Sequence, residues 1–391
     1  MGPGLPPKAA LIGARASGKT DRTRNALIVT NEQGGAVDVP RQDAALLESM
    51  RQRLDAVLLP LLAPGEPCAL LGYPDHNNVG DNAIWLGTVG WLQARGFPIT
   101  YTCDPGSYGR DELHRRLPAR GTILLCGGGD LGDLWPARQQ FRQQVIEDFP
   151  GRRIVLLPQS IHFTFDANLR EAAAVFDRHR HLTVLLRDGA SLERARDAFG
   201  GVRTELCPDM AVALGPLARP PDPEVDIVWL GRTDREATSG RAPPVATDVG
   251  VCEWASTAPG RPALRLARRL AHPLQAAPRG SLRRLPGLSS LGHRLYALST
   301  DGAASIHLGR GRRILGKGRV VVTERLHGHV LSLLLGIDHV LIDNSYGKLG
   351  SYYTSWSAGS DLAQMAESPD DALRRARRLL EDARRRSREP G

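Results

Sequence analysis

The sequence predicts an α/β protein of two domains, each a parallel sheet flanked by helices, facing each other across a cleft. Three observations predict it. Short runs of β-forming residues alternate with helix-patterned segments from Cys68 to Asp343. Polar residues recur where those runs end, at Asp81, Asp130, His162, Arg187 and Asp209, as in doubly wound sheets with a site along one edge. Residues 216–224 (PLARPPDPE) carry four prolines and read as an interdomain linker. The expected layout is a flexible extension at 1–40, a first domain at 41–216, a second at 222–365, and a C-terminal helix in 366–391 that packs back on the body.

Residues 1–40 are rich in Gly, Pro, Ala and Arg. Within them Gly13–Thr20 satisfies the P-loop pattern GxxxxGK[ST]. That pattern binds phosphate only between a buried strand and a long helix. Here the strand at Ala9–Ile12 is thin and DRTRNALIVT makes a poor helix, so the match is a coincidence. Arg41–Leu62 is an amphipathic helix, with Leu47, Met50, Leu54 and Leu58 near helical spacing. Cys68–Leu71 is a strand, and Gly72–Asn82 a loop leading to a helix over Ala83–Gln93. Asn78, Gly80, Asp81 and Asn82 at its entrance serve either as helix caps or as ligand contacts.

Strands follow at Thr100–Cys103 and Thr122–Cys126. The second runs into Gly127-Gly128-Gly129-Asp130, where missing side chains let the backbone approach a ligand or a neighbouring helix. A nicotinamide or flavin cofactor is not expected. Leu134–Phe149 is helical, and Arg153–Leu157 is a strand that leaves His162 in the loop beyond it. Asp166–His179 and Ser191–Phe199 are helices around a strand at Thr183–Arg187. Glu205–Cys207 then leads to a turn at Pro208-Asp209-Met210.

The second half opens with a strand at Val225–Leu230, with Arg232, Thr233 and Asp234 at its end. Residues 238–262 are loop-like. From Trp254 to Thr300 there is no acidic residue and there are eight arginines. Part of this segment, RPALRLARRL, has a basic face that suits either an anionic membrane surface or plain solvent. Ala303–Leu315 is helical. Val320–Thr323 is a buried strand, Leu326–Leu335 a helix apolar nearly all round, and Gly336 its stop. Val340–Asp343 completes a parallel βαβ unit. Glu324, Arg325 and His327 fall at one strand end and the helix's first turn, where unpaired N–H groups favour an anion. Asp343, Asn344, Tyr346 and Lys348 fall on the same rim. An anionic ligand is the first functional inference. Ser368-Pro369-Asp370-Asp371 then starts a helix that runs to about Arg386.

The net charge of +9 suits an anionic substrate or membrane surface. Nucleic acid is the weakest partner, because no helix-turn-helix, zinc-finger or RNP motif accompanies the charge. Five scattered cysteines without CxxC pairs point to buried free thiols rather than disulfides or zinc. No apolar run approaches the ~20 residues that cross a bilayer. The N-terminus lacks the apolar core of a secretory signal, which leaves a cytoplasmic protein, with peripheral attachment to the inner face of the membrane through the basic segment as an option.

Six blocks in order carry a resemblance: GYPDHNNVGDNAIW (72–85), CGGGDLGDLW (126–135), LLPQSIHF (156–163), CPDMAVAL (207–214), WLGRTDRE (229–236), and ERLHGHVLSLLLG with DNSYGKLGSYYTSW (324–356). Together they resemble the polysaccharide pyruvyltransferase family, which moves pyruvate from phosphoenolpyruvate onto a sugar as a ketal. The resemblance spans roughly 68–360, with weaker agreement between 237 and 300. It implies two Rossmann-like domains in a GT-B-like arrangement, phosphoenolpyruvate as donor, a saccharide acceptor whose lipid linkage is left open, and no metal or cofactor. From the RLH motif it implies that Arg325 holds the donor and that His327 is a donor contact and the general acid–base. Block matches and strand-end positions add His162, Arg187, Lys348 and Arg232 to the donor pocket. They make Asp81 and His162 further catalytic candidates, and Asn78, Asp81, Asn82 and Asp130 acceptor contacts. A GT-B-type glycosyltransferase using a nucleotide sugar is the alternative, since a diphosphate makes the same electrostatic demands.

Overall fold

The computed structural model describes residues 41–220, 222–232, 247–254, 286–343 and 347–386. The N-terminal extension with its P-loop lookalike, most of the basic segment (255–285), and Thr233, Asp234, Asn344 and Tyr346 lie outside the described residues.

The first sheet contains β1 (Cys68–Leu71), β2 (Ile99–Cys103), β3 (Thr122–Leu125), β4 (Gly128–Gly132), β5 (Ile154–His162), β6 (Leu182–Leu186) and β7 (Arg203–Leu206). Its order is β2-β1-β3-β5-β6-β7, with β4 also on β5, and every pair is parallel. Helices α1 (Arg41–Leu58), α2 (Val79–Ala94), α3 (Arg110–Arg116), α4 (Pro136–Asp148), α5 (Asp166–Asp177) and α6 (Gly189–Ala198) accompany it. The central strands β1, β3, β5 and β6 are buried on both faces. Leu70, Leu124, Val155 and Leu185 enter one core, while Leu71, Leu125, Leu156 and Leu186 enter the other. That two-sided burial is why these strands read as continuous apolar runs.

The second sheet contains β8 (Val225–Leu230), β9 (Val249–Cys252), β10 (Gly318–Thr323), β11 (His339–Ile342) and β12 (Ala363–Ala366), in the order β9-β8-β10-β11-β12, again all parallel. Helices α7 (Pro286–Gly316), α8 (Leu326–Leu335), α9 (Lys348–Trp356) and α10 (Pro369–Arg386) complete the described chain. Helix α10 covers the outer face of this sheet with Ala372, Leu373, Ala376, Leu379 and Leu380. The two halves are the two parallel, Rossmann-like α/β units that the sequence predicts, consistent with a GT-B-like arrangement.

One core runs unbroken between the sheets, joining Leu70 and Leu124 to Val228, Val321 and Leu341. Helix α8 lies within it, and all ten of its residues are buried. That burial is the physical reason its sequence is apolar nearly all round. Gly336 ends it in the left-handed conformation, φ 63°, which a glycine adopts without strain.

Several expectations need correction. Residues 126–130 are not a loop after a strand. The chain jogs at Cys126–Gly127 and resumes as β4, while β5 slips register between Leu156 and Gln159. Pro158 is tolerated inside β5 because it sits at that irregularity. Part of 238–262 forms β9, a full partner of β8. The helix expected at 303–315 starts at Pro286 and runs 31 residues. Although α7 belongs to the second half in sequence, it packs on the first. Asp301 Oδ1 accepts from Trp85 Nε1 (2.8 Å), Tyr296 Oη donates to Asp104, and His293 stacks on Tyr101.

All five cysteines are free. No helix among the described residues is long and apolar enough to cross a membrane.

Candidate active site

Between the carboxyl edges of the two sheets lies a cleft of about 640 Å³. Both halves line it. The first supplies His76, Asn78, Asp81, Asp130, Arg138 and Arg187; the second supplies Arg232, Glu253, Glu324, Arg325, His327 and Lys348.

The floor is a buried ionic cluster. Arg187 ends β6 and is 1% exposed. Its Nη1 donates to Asp209 Oδ2 (2.7 Å), and its Nε donates to Ser160 Oγ (2.8 Å). Ser160 in turn donates to Asp188 Oδ2 (2.7 Å), so the guanidinium is held at both ends. Asp209 Oδ1 accepts from the Ala211 N–H (2.8 Å) and starts a 3-10 turn at Met210–Leu214. His327 in the first turn of α8 brings Nε2 to 3.3 Å from Asp209 Oδ2. This is ion-pair distance, but Nε2 makes no aligned hydrogen bond. Burial alone would push the Asp209 carboxyl up. His327, Arg187 and the Ala211 N–H outweigh it and hold the group well below the ordinary carboxylate range. Burial also opposes the Arg187 charge, and Asp209 more than offsets that.

Two glycines make room for this cluster. A Cβ at position 80 would collide with the His327 ring, so only glycine lets α2 approach α8 this closely. A Cβ at position 129 would collide with Lys348 Nζ and lie 2.9 Å from Arg187 Nη2. Lys348 begins α9 and is 8% exposed. Helix α9 is docked on the first half by hydrogen bonds from the Gly189 N–H to Ser355 Oγ (3.0 Å), the Ala190 N–H to Ser351 Oγ (3.1 Å), and Trp356 Nε1 to the Arg187 carbonyl (2.7 Å).

Arg325 occupies the N-cap position of α8 on the second wall, with its side chain directed elsewhere. Its Nε donates to the Gly231 carbonyl (2.9 Å), and Nη2 reaches Glu253 Oε1 (3.3 Å). On the opposite wall, Asn78 caps α2 by accepting from the Gly80 N–H (3.0 Å). Asp81 lies in the first turn of α2, with His76 Nε2 3.6 Å from its Oδ2. Asp130 on β4 has Oδ1 pinned by Arg142 Nη2 (2.7 Å). The cleft therefore has a cationic end around Arg187, Lys348 and Arg325, and carboxylates at Asp81 and Asp130.

Two expected site residues are not in the lining. The extra pairing with β4 extends β5 five residues beyond Leu157, which at ~3.3 Å per residue carries His162 about 16 Å past the expected strand end. Asn82 is fully buried because α2 begins at Val79 rather than Ala83. Its Nδ2 donates to the carbonyls of His76 (3.0 Å) and Asn78 (2.7 Å), which makes it a brace for the loop. Conversely, His76, Trp135, Arg138, Glu253 and Trp254 line the cleft without having been picked from the sequence. Asp209 stood out only as a polar strand-end residue. Among the described residues no three His, Cys, Asp or Glu side chains converge as a metal site would require.

The family model for polysaccharide pyruvyl transferase matches residues 78–346. The chain belongs to the polysaccharide pyruvyl transferase family. A Bacillus subtilis protein named "Putative pyruvyl transferase EpsO" is 29% identical over 316 residues, 80% of this chain and 91% of that one. Pyruvyl transferase 1 of Schizosaccharomyces pombe is 30% identical over 332 residues, covering 78% of this chain and 74% of that one. A crystal structure of an uncharacterized Klebsiella pneumoniae protein aligns over 82% of this chain and 99% of that chain, with a TM-score of 0.48 and 16% identity. The matched range of this polysaccharide pyruvyltransferase includes residues of both walls of the cleft, from Asn78 at the head of α2 to Arg325 and His327 at the head of α8.

Proposed function

We propose that the enzyme takes pyruvate from phosphoenolpyruvate and installs it as a ketal on a hydroxyl pair of the polysaccharide. The observation that carries this reading is the convergence of Arg187, Lys348 and His327 beside the N-terminus of α8, in a cleft that also bears the carboxylates of Asp81 and Asp130. Phosphoenolpyruvate has two anionic groups, and buried guanidinium and ammonium groups with a helix N-terminus suit both.

In the reaction a proton adds to the methylene carbon and makes it a methyl group. A sugar hydroxyl oxygen bonds to the neighbouring carbon and releases its proton. The C–O bond to phosphate then breaks, and a second hydroxyl closes the ketal. One hydroxyl proton replaces the one delivered to carbon, and the other departs with phosphate. The residue roles follow. Arg325, Lys348 and Arg187 hold the donor, with Arg232 beside them. His327 delivers the proton, its ring fixed between Gly80 and Asp209. Asp81 accepts the hydroxyl proton, while Asp130 and Asn78 orient the sugar. His162 and Asn82, which do not line the cleft, are given no role in this reading.

The test combines calorimetric titration with phosphoenolpyruvate and phosphate release in the presence of saccharides. We expect binding of the donor alone and phosphate release only with an acceptor. An enzyme that ignores phosphoenolpyruvate and binds a nucleotide sugar would transfer the cleft to a glycosyltransferase.

A further inference from the structure

We propose that His76 is a positioning residue for the acceptor chemistry: it holds Asp81 so that Oδ1, and not Oδ2, takes the proton of the attacking sugar hydroxyl. This rests on the reading of Asp81 as the base. It goes beyond that reading by assigning the residue that prepares the base and the oxygen that acts.

The His76 ring is oriented by its own loop. The Asn78 N–H donates to His76 Nδ1 (3.4 Å). A backbone N–H can only donate, so Nδ1 carries the lone pair and a neutral ring keeps its proton on Nε2. Nε2 is the atom that faces Asp81 Oδ2, at 3.6 Å. In this tautomer His76 offers Asp81 an N–H and has no lone pair on that side. It therefore steadies the carboxylate without competing for the hydroxyl proton.

The loop itself is tied down at three successive carbonyls. Those of His76 and Asn78 accept from Asn82 Nδ2 (3.0 and 2.7 Å), and that of Asn77 accepts from Arg310 Nη2 on α7. Asn82 is fully buried, and Asn78 Oδ1 takes the Gly80 N–H (3.0 Å) at the head of α2. The bracing that removes Asn82 from the cleft thus fixes the backbone that carries His76. A group set in place before the sugar arrives costs no reordering at the moment of reaction.

The second oxygen of Asp81 looks toward the donor end. Asp81 Oδ1 lies 3.7 Å from the point where a Cβ on Gly128 would stand. A Cβ on the next residue, Gly129, would meet Lys348 Nζ and Arg187 Nη2. The glycine pair therefore borders both Asp81 Oδ1 and the cations assigned to the donor. The Asp81 charge also reaches them: burial works against the Arg187 guanidinium, and Asp209, Asp188 and Asp81 together outweigh it. As the hydroxyl oxygen bonds to the donor carbon, its proton passes to Oδ1, and His76 neither gains nor loses one.

His76 and Asp81 are both partly open to solvent, and such a pair adds little to stability, so its loss should register in turnover rather than folding. The experiment uses the full chain, phosphoenolpyruvate and the saccharides of the transfer assay. The variants are His76→Ala, His76→Gln, Asp81→Asn and the double variant His76→Ala/Asp81→Asn. Proton–nitrogen NMR spectra of histidine-labelled wild type in mildly alkaline buffer, with the His76 signal identified by its loss in His76→Gln, should show the Nε2–H tautomer. His76→Ala should lower kcat about tenfold, the scale of one hydrogen bond to a charged group, and leave phosphoenolpyruvate affinity unchanged. His76→Gln, whose amide can still donate to Oδ2, should recover most of the loss. In the Asp81→Asn background His76→Ala should cost nothing further. An Nδ1–H tautomer, wild-type kcat in His76→Ala, or an undiminished loss in the Asp81→Asn background overturns the role of His76 and leaves the donor assignment intact. Wild type that does not bind phosphoenolpyruvate overturns the donor reading, and the role of His76 with it.

Discussion

Nε2 of His327, at the head of α8 in the second half, faces Oδ2 of Asp209 in the first half at 3.3 Å. The same oxygen accepts from Arg187 at 2.7 Å. One buried carboxylate therefore positions an imidazole and a guanidinium from opposite halves of the molecule. Replacing Asp209 by Asn keeps the shape and removes the charge that both need. Turnover should fall about 100-fold or more. The stability loss should be on the order of 3–5 kcal/mol, because Arg187 stays buried without its anion. Steady-state phosphate release and thermal melts measure the two effects; a variant with wild-type kinetics would dissociate Asp209 from the site.

Arg325 and His327 separate binding from chemistry. Arg325→Ala should weaken phosphoenolpyruvate binding by roughly 2–5 kcal/mol. Arg325→Lys should recover little, since an ammonium cannot donate to the Gly231 carbonyl and Glu253 and still present a planar fork. His327→Ala should retain most of the donor affinity and lose turnover about 100- to 10,000-fold. Calorimetry beside a transfer assay distinguishes these; equal loss of both quantities in both variants would contradict the division of roles.

The glycines that admit the cluster make a second pair of tests. Gly80→Ala drives a methyl group into the His327 ring and should depress turnover with modest change in donor affinity. Gly129→Ala displaces Lys348 and crowds Arg187, so donor affinity should fall about tenfold or more. Far-ultraviolet circular dichroism should stay native in each. Retention of full donor affinity by a folded Gly129→Ala would take Lys348 out of the donor site.

Acid should loosen the fold through a histidine pair behind the site. His329 Nδ1 and His339 Nε2 are 2.7 Å apart, His339 Nδ1 lies 2.7 Å from the Ile337 carbonyl, and His329 Nε2 lies 2.7 Å from Ser357 Oγ. The Ile337 carbonyl can only accept, so His339 donates through Nδ1, His329 donates to His339, and Ser357 donates to His329. A chain of this kind works only with both rings neutral. Burial pushes His339 down to about 4 and, with the neighbouring ring, pushes His329 down as well. The native state therefore binds fewer protons than the unfolded chain below an ordinary histidine pKa of about 6.5. Stability is complete above that pH and declines as pH falls toward 4, by on the order of 3 kcal/mol for His339 alone. Melting temperatures across this window should fall in wild type and fall less steeply in His339→Gln.

What could be read from the sequence depended on whether local pattern or distant pairing decided the outcome. The β10–α8–β11 unit was legible because its apolar runs, its length and Gly336 all point the same way. Strands β4 (GGDLG) and β12 (AQMA) were not, because neither has β-forming composition and each exists through its neighbour in the sheet. His162 was misplaced for the same reason, since beyond Gln159 it is the β4 pairing that carries β5 on to His162. Arg325 and His327 could be found from a strand end and a helix start. The role of Asp209 could not, because its partners Arg187 and His327 reach it from different elements and only the packed sheets bring them together.

Helix α7 has a consequence for how this chain can be divided. Its side chains complete the shell of the first sheet, through Asp301 on Trp85, Tyr296 on Asp104 and His293 on Tyr101. A fragment ending in the proline-rich stretch after Gly215 would expose the wall that α7 covers and leave Asp104 without its tyrosine. The two lobes seen in the sheets are therefore not two separable parts: the first acquires its full surface only after residues well into the second have been made.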